Sequence, residues 1–277
     1  MPTVNSNGID LYYEVHGAGE PLVLIAGLGY DAWMWHRMIP GLAERFQVIS
    51  FDNRGVGHSD KPAGPYSAGL LAADVVGLLD ALGIDRAHVV GHSMGGFIAQ
   101  ALAIHHLDRL RKLVLSATNF GGPHHVPITP PAMAVLTDVS GDPIARLRRG
   151  IVISCAPGFA EANPALVDEW VDYRVRHPID PAGYQSQLAI GLSLLSEAAS
   201  FEHKLAAVTV PTLILFGEHD AVVPPGNAEL LAARLPDARI EILPGAGHFF
   251  PFEVPEAANR AIIRFLSGAA TPAVTEP

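Results

Sequence analysis

The stretch Ala87-His88-Val89-Val90-Gly91-His92-Ser93-Met94-Gly95-Gly96 decides the fold. Ala87 to Gly91 is a short apolar run of the kind that suits a strand buried on both faces of a parallel sheet. Residues 94 to 106 then carry apolar side chains at three- and four-residue steps, which predicts a helix. At the junction, Gly91-His92-Ser93-Met94-Gly95 matches G-x-S-x-G. A serine on so sharp a turn is held in a strained backbone with its hydroxyl exposed, and the flanking glycines are needed because side chains there would collide. An ordinary glycine turn with a capping serine would use the same letters. The strand before it and the helix after it favour Ser93 as a nucleophile.

Outward from this junction the same alternation repeats. Apolar runs at Leu22 to Ala26, Gln47 to Phe51, Lys112 to Ser116, Thr212 to Phe216 and Ile240 to Leu243 are read as strands, and Ile9 to Val15 as an edge strand closed by Gly17-Ala18-Gly19. Helices are expected over residues 33 to 45, 67 to 83, 94 to 106 and Pro255 to Leu266. Strand and helix in alternation predict an α/β fold with a doubly wound, mostly parallel sheet, whose sites lie at the carboxyl ends of the strands. From Asn119 to Leu205 prolines crowd in and no strand is legible. A helical lid of residues 119 to 205 is therefore expected between two late strands, set into a core of residues 1 to 118 and 206 to 268, with residues 269 to 277 as a flexible tail.

A serine hydroxyl needs a general base and a group to orient that base. Asp220 follows one strand within Gly217-Glu218-His219-Asp220, and His248 follows the next within Gly245-Ala246-Gly247-His248, so both fall on the edge that would present Ser93. Glu218 is the rival to Asp220, but it lies nearer the strand and outside the turn proper. The order Ser, Asp, His is that of α/β-hydrolases. The backbone N–H of Met94 would serve a developing oxyanion, and the second donor is expected from Gly27-Leu28-Gly29, at Leu28.

Other residues are read more broadly. His92 is expected in a pocket wall or in packing. Trp33, with Tyr30 and Trp35, either lines a pocket or is buried in the core. Met133, Leu136, Phe159, Trp170 and Tyr173 are expected to roof an apolar pocket, and Phe249 to border it. Cys155 is read as a packed thiol. Thirteen histidines and one cysteine show no zinc-binding spacing, so no metal and no cofactor is expected.

Composition narrows the classes further. The 277 residues are 49% hydrophobic and 17% charged, which describes a folded globule. A net charge of −10 without runs of like charge argues against a nucleic-acid partner. No lysine or arginine precedes Arg37, and the apolar runs are too short to span a bilayer, so a soluble, cytoplasmic protein without a membrane partner is expected.

Taken together, Gly27-Leu28-Gly29, Phe51-Asp52-Asn53-Arg54-Gly55-Val56-Gly57-His58-Ser59, Gly91-His92-Ser93-Met94-Gly95-Gly96, Gly217-Glu218-His219-Asp220 and Gly245-Ala246-Gly247-His248 make the sequence resemble the α/β-hydrolase superfamily. The likeness is to its lid-bearing esterases, enol-lactone hydrolases, methylesterases and cofactor-free haloperoxidase-like enzymes, over residues 4 to 267. It implies Ser93, Asp220 and His248 as the triad and Leu28 and Met94 as oxyanion donors. Many members carry His-Gly before the oxyanion residue, where this chain has Ala26-Gly27, so the supporting hydrogen bonds of that histidine do not carry over. Asp52 and Arg54 are read as locking a loop at the sheet edge. The expected activity is hydrolysis of a small apolar ester or lactone through an acyl-enzyme. A carbon–carbon bond hydrolase of a vinylogous diketone and a non-catalytic ligand receptor on the same fold are the alternatives.

Overall fold

The computed structural model describes residues 2–268, so the tail expected at 269–277 lies outside the described residues. Its strands are β1 (Thr3–Ser6), β2 (Ile9–His16), β3 (Glu20–Ile25), β4 (Phe46–Phe51), β5 (Ala87–His92), β6 (Leu110–Ser116), β7 (Thr212–Gly217) and β8 (Ala238–Leu243). They form one sheet in the order β1-β2-β4-β3-β5-β6-β7-β8. The β1–β2 and β2–β4 pairings are antiparallel, and the pairings from β4 onward are parallel. In β3, Leu22 and Leu24 face one core layer while Val23 and Ile25 face the other, and all four are fully buried. Apolar residues in unbroken succession are what a strand covered on both faces demands.

The helices are α1 (Ile39–Ala43), α2 (Ala68–Ala81), α3 (Met94–His105), α4 (Pro130–Thr137), α5 (Pro143–Ser154), α6 (Phe159–Ala162), α7 (Pro164–Arg176), α8 (Pro181–Ser193), α9 (Gly226–Ala232), α10 (Phe250–Glu253) and α11 (Pro255–Leu266). The segment between β6 and β7 is helical, as expected, and its prolines have a definite use. Four of its helices, α4, α5, α7 and α8, begin at a proline, whose missing N–H costs nothing in the first turn. Thr129, Asp142 and Asp180 cap three of these starts with side-chain oxygens. The insertion touches the loops after β3, β7 and β8, which are carboxyl ends of the sheet.

Two expectations are corrected. Residues 33 to 45 are no single helix: a 3-10 turn at Ala32–Trp35 gives way to the short α1, because Pro40 has no N–H to continue a helix through it. Ile9–His16 is not the sheet edge. Asn7 and Gly8, with φ of 49° and 79°, make the tight turn that lays β1 outside it.

Candidate active site

Ser93 sits between β5 and α3 with φ 55° and ψ −118°, a conformation that non-glycine residues rarely adopt. The turn is fixed from both sides of its peptide: the Ser93 N–H donates to Ser116 O at 2.9 Å, and the Thr118 hydroxyl donates to Ser93 O at 2.9 Å. The two motif glycines are steric necessities. A Cβ on Gly91 would stand 2.4 Å from Gly95 O, and one on Gly95 would stand 2.2 Å from Ile25 O. The helix can press so close to the sheet only with hydrogen at both positions.

His248 and Asp220 lie side by side. His248 Nδ1 is 2.8 Å from Asp220 Oδ2, and both side chains are almost entirely buried. Asp220 Oδ1 accepts the N–H groups of Val222 and Val223 at 2.9 and 2.7 Å, so the carboxylate is held by its own turn. Glu218 is half exposed and accepts from Gly245 N instead, which removes it from the site. His248 and Ser93 line one cavity.

The backbone N–H of Leu28 and that of Met94 have no internal partner among the described residues. Helix geometry explains Met94, since the first N–H groups of a helix have no carbonyl behind them. Leu28 lies at the head of a tight turn closed by Tyr30 N donating to Gly27 O at 3.2 Å. A Cβ built on Gly27 would touch the Ser93 Cβ at 3.3 Å, so this loop lies directly against the serine.

Two cavities share Ser93 and Leu28. The larger, about 250 Å³, is bounded by Tyr30, His92, Leu136, Ile151, Arg174, Tyr184, Val222, His248 and Phe249 among others. The smaller, about 150 Å³, is bounded by Met94, Phe97, Thr118, Asn119, Gln187, Leu188, Gly191 and Val223 as well. Both are chiefly apolar, and residues of the insertion wall both.

The pocket expectations divide. His92 and Phe249 do border the larger cavity. His92 is buried, its Nδ1 2.8 Å from Ser116 Oγ and its ring 5.0 Å from that of His248. Burial, and then the neighbouring His248, hold its pKa well below the ordinary imidazole value. Trp33, Met133 and Trp170 are corrected. Trp33 borders a separate cavity and is stacked between His36 and Tyr173 at 4.0 and 3.8 Å, because the 3-10 turn aims it there. Met133 is 46% exposed on the outer face of α4. Trp170 is buried behind Phe249, 5.2 Å from its ring, and supports the wall without forming it. Tyr173 likewise borders the separate cavity, whereas Leu136 reaches the larger one. Cys155 is packed, and burial pushes its thiol pKa up.

Sequence reading missed Arg174, Tyr184 and Gln187. Arg174 lies on α7 and Tyr184 and Gln187 on α8, and α8 shows almost no separation of apolar and polar faces that would mark which residues turn inward. Asp52 and Arg54 act as read: Asp52 accepts from Ala32 N and His58 N, and Arg54 forms a two-pronged pair with buried Asp74. Among the described residues no group of three metal-ligating side chains converges, and no helix is long and apolar enough to cross a membrane.

The family model described as the alpha/beta hydrolase fold matches residues 20–255. RutD of Azorhizobium caulinodans, which carries the name of a carbamate hydrolase, is 34% identical over 265 residues covering 96% of this chain and 98% of that protein. The meta-cleavage product hydrolase CumD of Pseudomonas fluorescens superposes with a TM-score of 0.83 at 26% identity, covering 98% of each chain. The enol-lactonase of Burkholderia xenovorans superposes with a TM-score of 0.80 at 31% identity, covering 96% of this chain and all of that one (100%). A nucleophile-elbow motif, an eight-stranded mostly parallel sheet and matches across nearly the whole length therefore agree: this chain belongs to the α/β-hydrolase fold family and is a hydrolase.

Proposed function

We propose that the chain is a serine hydrolase that cleaves a small apolar carboxylic ester or lactone through an acyl-enzyme. The observation that carries this reading is the convergence on one cavity of a strained serine, an imidazole oriented by a buried carboxylate, and two backbone N–H groups with no internal partner. Each group matches one demand of acyl transfer.

In this mechanism Ser93 Oγ attacks the substrate carbonyl while His248 Nε2 takes its proton. The 2.8 Å contact to Asp220 fixes the imidazole tautomer, with the proton on Nδ1 and the lone pair on Nε2. The oxygen of the tetrahedral intermediate takes the N–H groups of Leu28 and Met94. His248 returns the proton to the leaving alkoxide, and a water activated by the same imidazole then releases the acid from Ser93. The two cavities that meet at Ser93 suit the two arms of an ester, acyl group on one side and alcohol on the other. A lactone joins the two arms in a ring. Helices α4 to α8 act as a lid over this junction.

The likeness to the meta-cleavage product hydrolase favours one second reading, hydrolysis of a carbon–carbon bond in a vinylogous diketone by the same groups. Turnover of a panel of short p-nitrophenyl esters, lactones, carbamates and a vinylogous diketone separates them, with Ser93→Ala as control. Ester or lactone turnover lost in Ser93→Ala supports the proposal. Turnover of the diketone alone replaces it with the second reading.

A further inference from the structure

The core holds the oxyanion loop at its ends, where Asn53 Nδ2 donates to Ala26 O at 3.1 Å and Ala32 N donates to Asp52 Oδ1 at 2.8 Å. Between these ends, both peptide groups of Gly29 are taken by the helical insertion. The Gly29 N–H donates to Gln187 Oε1 at 2.9 Å, and Arg174 donates to Gly29 O at 2.5 Å. These partners lie 158 and 145 residues away in sequence, on α8 and α7. Neither contact is incidental. Gln187 is fully buried, and its other end donates from Nε2 to Arg54 O at 2.8 Å, so the amide is pinned between two loops and cannot turn. Arg174 is also buried and stands over the Tyr30 ring at 4.9 Å, next to the same turn.

Leu28 stands between the anchorages at Ala26 and Gly29, and its N–H has no internal partner. A peptide N–H is useful to an oxyanion only if its direction is set before the charge develops. We infer that Gln187 and Arg174 are positioning residues that hold the Gly27–Gly29 loop from the insertion and so aim the Leu28 N–H at the carbonyl oxygen on Ser93. The inference rests on the acyl-transfer reading above and deepens it: half of the oxyanion hole is built by the insertion. Withdrawal of α7 and α8 from the core would release the loop, so the site is competent only when the insertion is seated.

Gln187→Met keeps the shape of the side chain and removes both of its hydrogen bonds. Loss of a whole oxyanion donor costs roughly 10²- to 10³-fold in kcat, so a loosened one is expected to cost about 10- to 100-fold, with KM changed by less than about threefold. The affinity for a trifluoromethyl ketone, whose hemiketal oxygen occupies the oxyanion position, is expected to fall by the same factor as kcat. Gln187 also walls the smaller cavity, so binding of the substrate ester is measured in the Ser93→Ala background with and without Gln187→Met. It is expected to weaken far less than binding of the trifluoromethyl ketone, and equal losses for the two ligands would overturn the inference. Near-ultraviolet circular dichroism verifies that the variant is folded. Arg174→Met is measured in parallel and carries the same expectation should Gln187→Met fail to fold. A folded Gln187→Met or Arg174→Met enzyme with unchanged kcat, or one whose kcat falls while trifluoromethyl ketone affinity does not, overturns the inference. In that outcome loss of turnover in Ser93→Ala leaves the acyl-transfer reading standing, whereas retained turnover in Ser93→Ala removes both.

Discussion

The carboxylate of Glu253 accepts the backbone N–H of Gly247 at 3.1 and 3.2 Å, one residue before His248. The same carboxylate accepts the N–H of Ala156 at 2.7 Å, just beyond α5, and Phe249 N donates to Ser154 O at 3.0 Å. The histidine loop is thus fastened to the C-terminal end of α5, in the middle of the insertion. A Cβ on Gly247 would stand 2.5 Å from Ala156 N, so nothing larger than glycine permits the approach.

Burial raises the pKa of Glu253 from its ordinary 4.5 to about 7. A carboxyl whose pKa is raised by folding takes up a proton as the chain folds. Its contribution to stability is complete below about 4.5 and is lost as the pH rises through about 7. Thermal melts across that window are expected to fall with rising pH, and Glu253→Gln, which cannot ionise, is expected to flatten the decline. Parallel curves for the two proteins would assign the pH dependence elsewhere.

Glu253→Ala leaves the Gly247 and Ala156 N–H groups buried without an acceptor. Each such group costs about 1–3 kcal/mol, so a loss of about 2–6 kcal/mol in urea unfolding is expected. A loss of only a few tenths would mean that water reaches both donors.

Ser93 carries strain that the chemistry requires. At φ 55° and ψ −118° the cost of such a residue is about 1–3 kcal/mol, and glycine escapes much of it. Ser93→Gly is therefore expected to be more stable than Ser93→Ala by about 1 kcal/mol, with turnover absent in both. Equal melting temperatures for the two would show the elbow to be relaxed.

Arg54 and Asp74 are paired through two hydrogen bonds, at 2.9 and 2.6 Å, with Asp74 almost wholly buried. Breaking a buried pair strands one charge, which typically costs about 3–5 kcal/mol. Arg54→Met is expected to lose stability on that scale in urea unfolding, and Arg54→Met with Asp74→Leu to recover much of it. No recovery in the double variant would show that Arg54 acts through its other contacts.

Much of this site is legible in the sequence, because Ser93, Asp220 and His248 are each marked by local signals: a glycine pattern, a strand that precedes it and a position at the strand's end. The two-faced burial of β3 through β7 is equally legible, as short runs rich in Val, Ile and Leu. What escaped notice depends on contacts between distant segments. Met133 and Trp170 sit on helices whose apolar positions look alike in sequence, yet one faces outward and the other backs Phe249. Trp33 follows a helix-like pattern that Pro40 interrupts, and the break turns it toward Tyr173. Gln187 and Arg174 bear no local mark at all, since their partner, Gly29, is fixed only when the insertion docks.

In the proposed reaction Ser93 carries the acyl group. Rapid quenching of the enzyme during turnover of a p-nitrophenyl ester, followed by mass spectrometry of the peptide containing Ser93, tests it most directly. The mass of the acyl group is expected on that serine, formed in a burst and absent from Ser93→Ala. Turnover at the wild-type rate by Ser93→Ala, or an acyl mass on another residue, would contradict it.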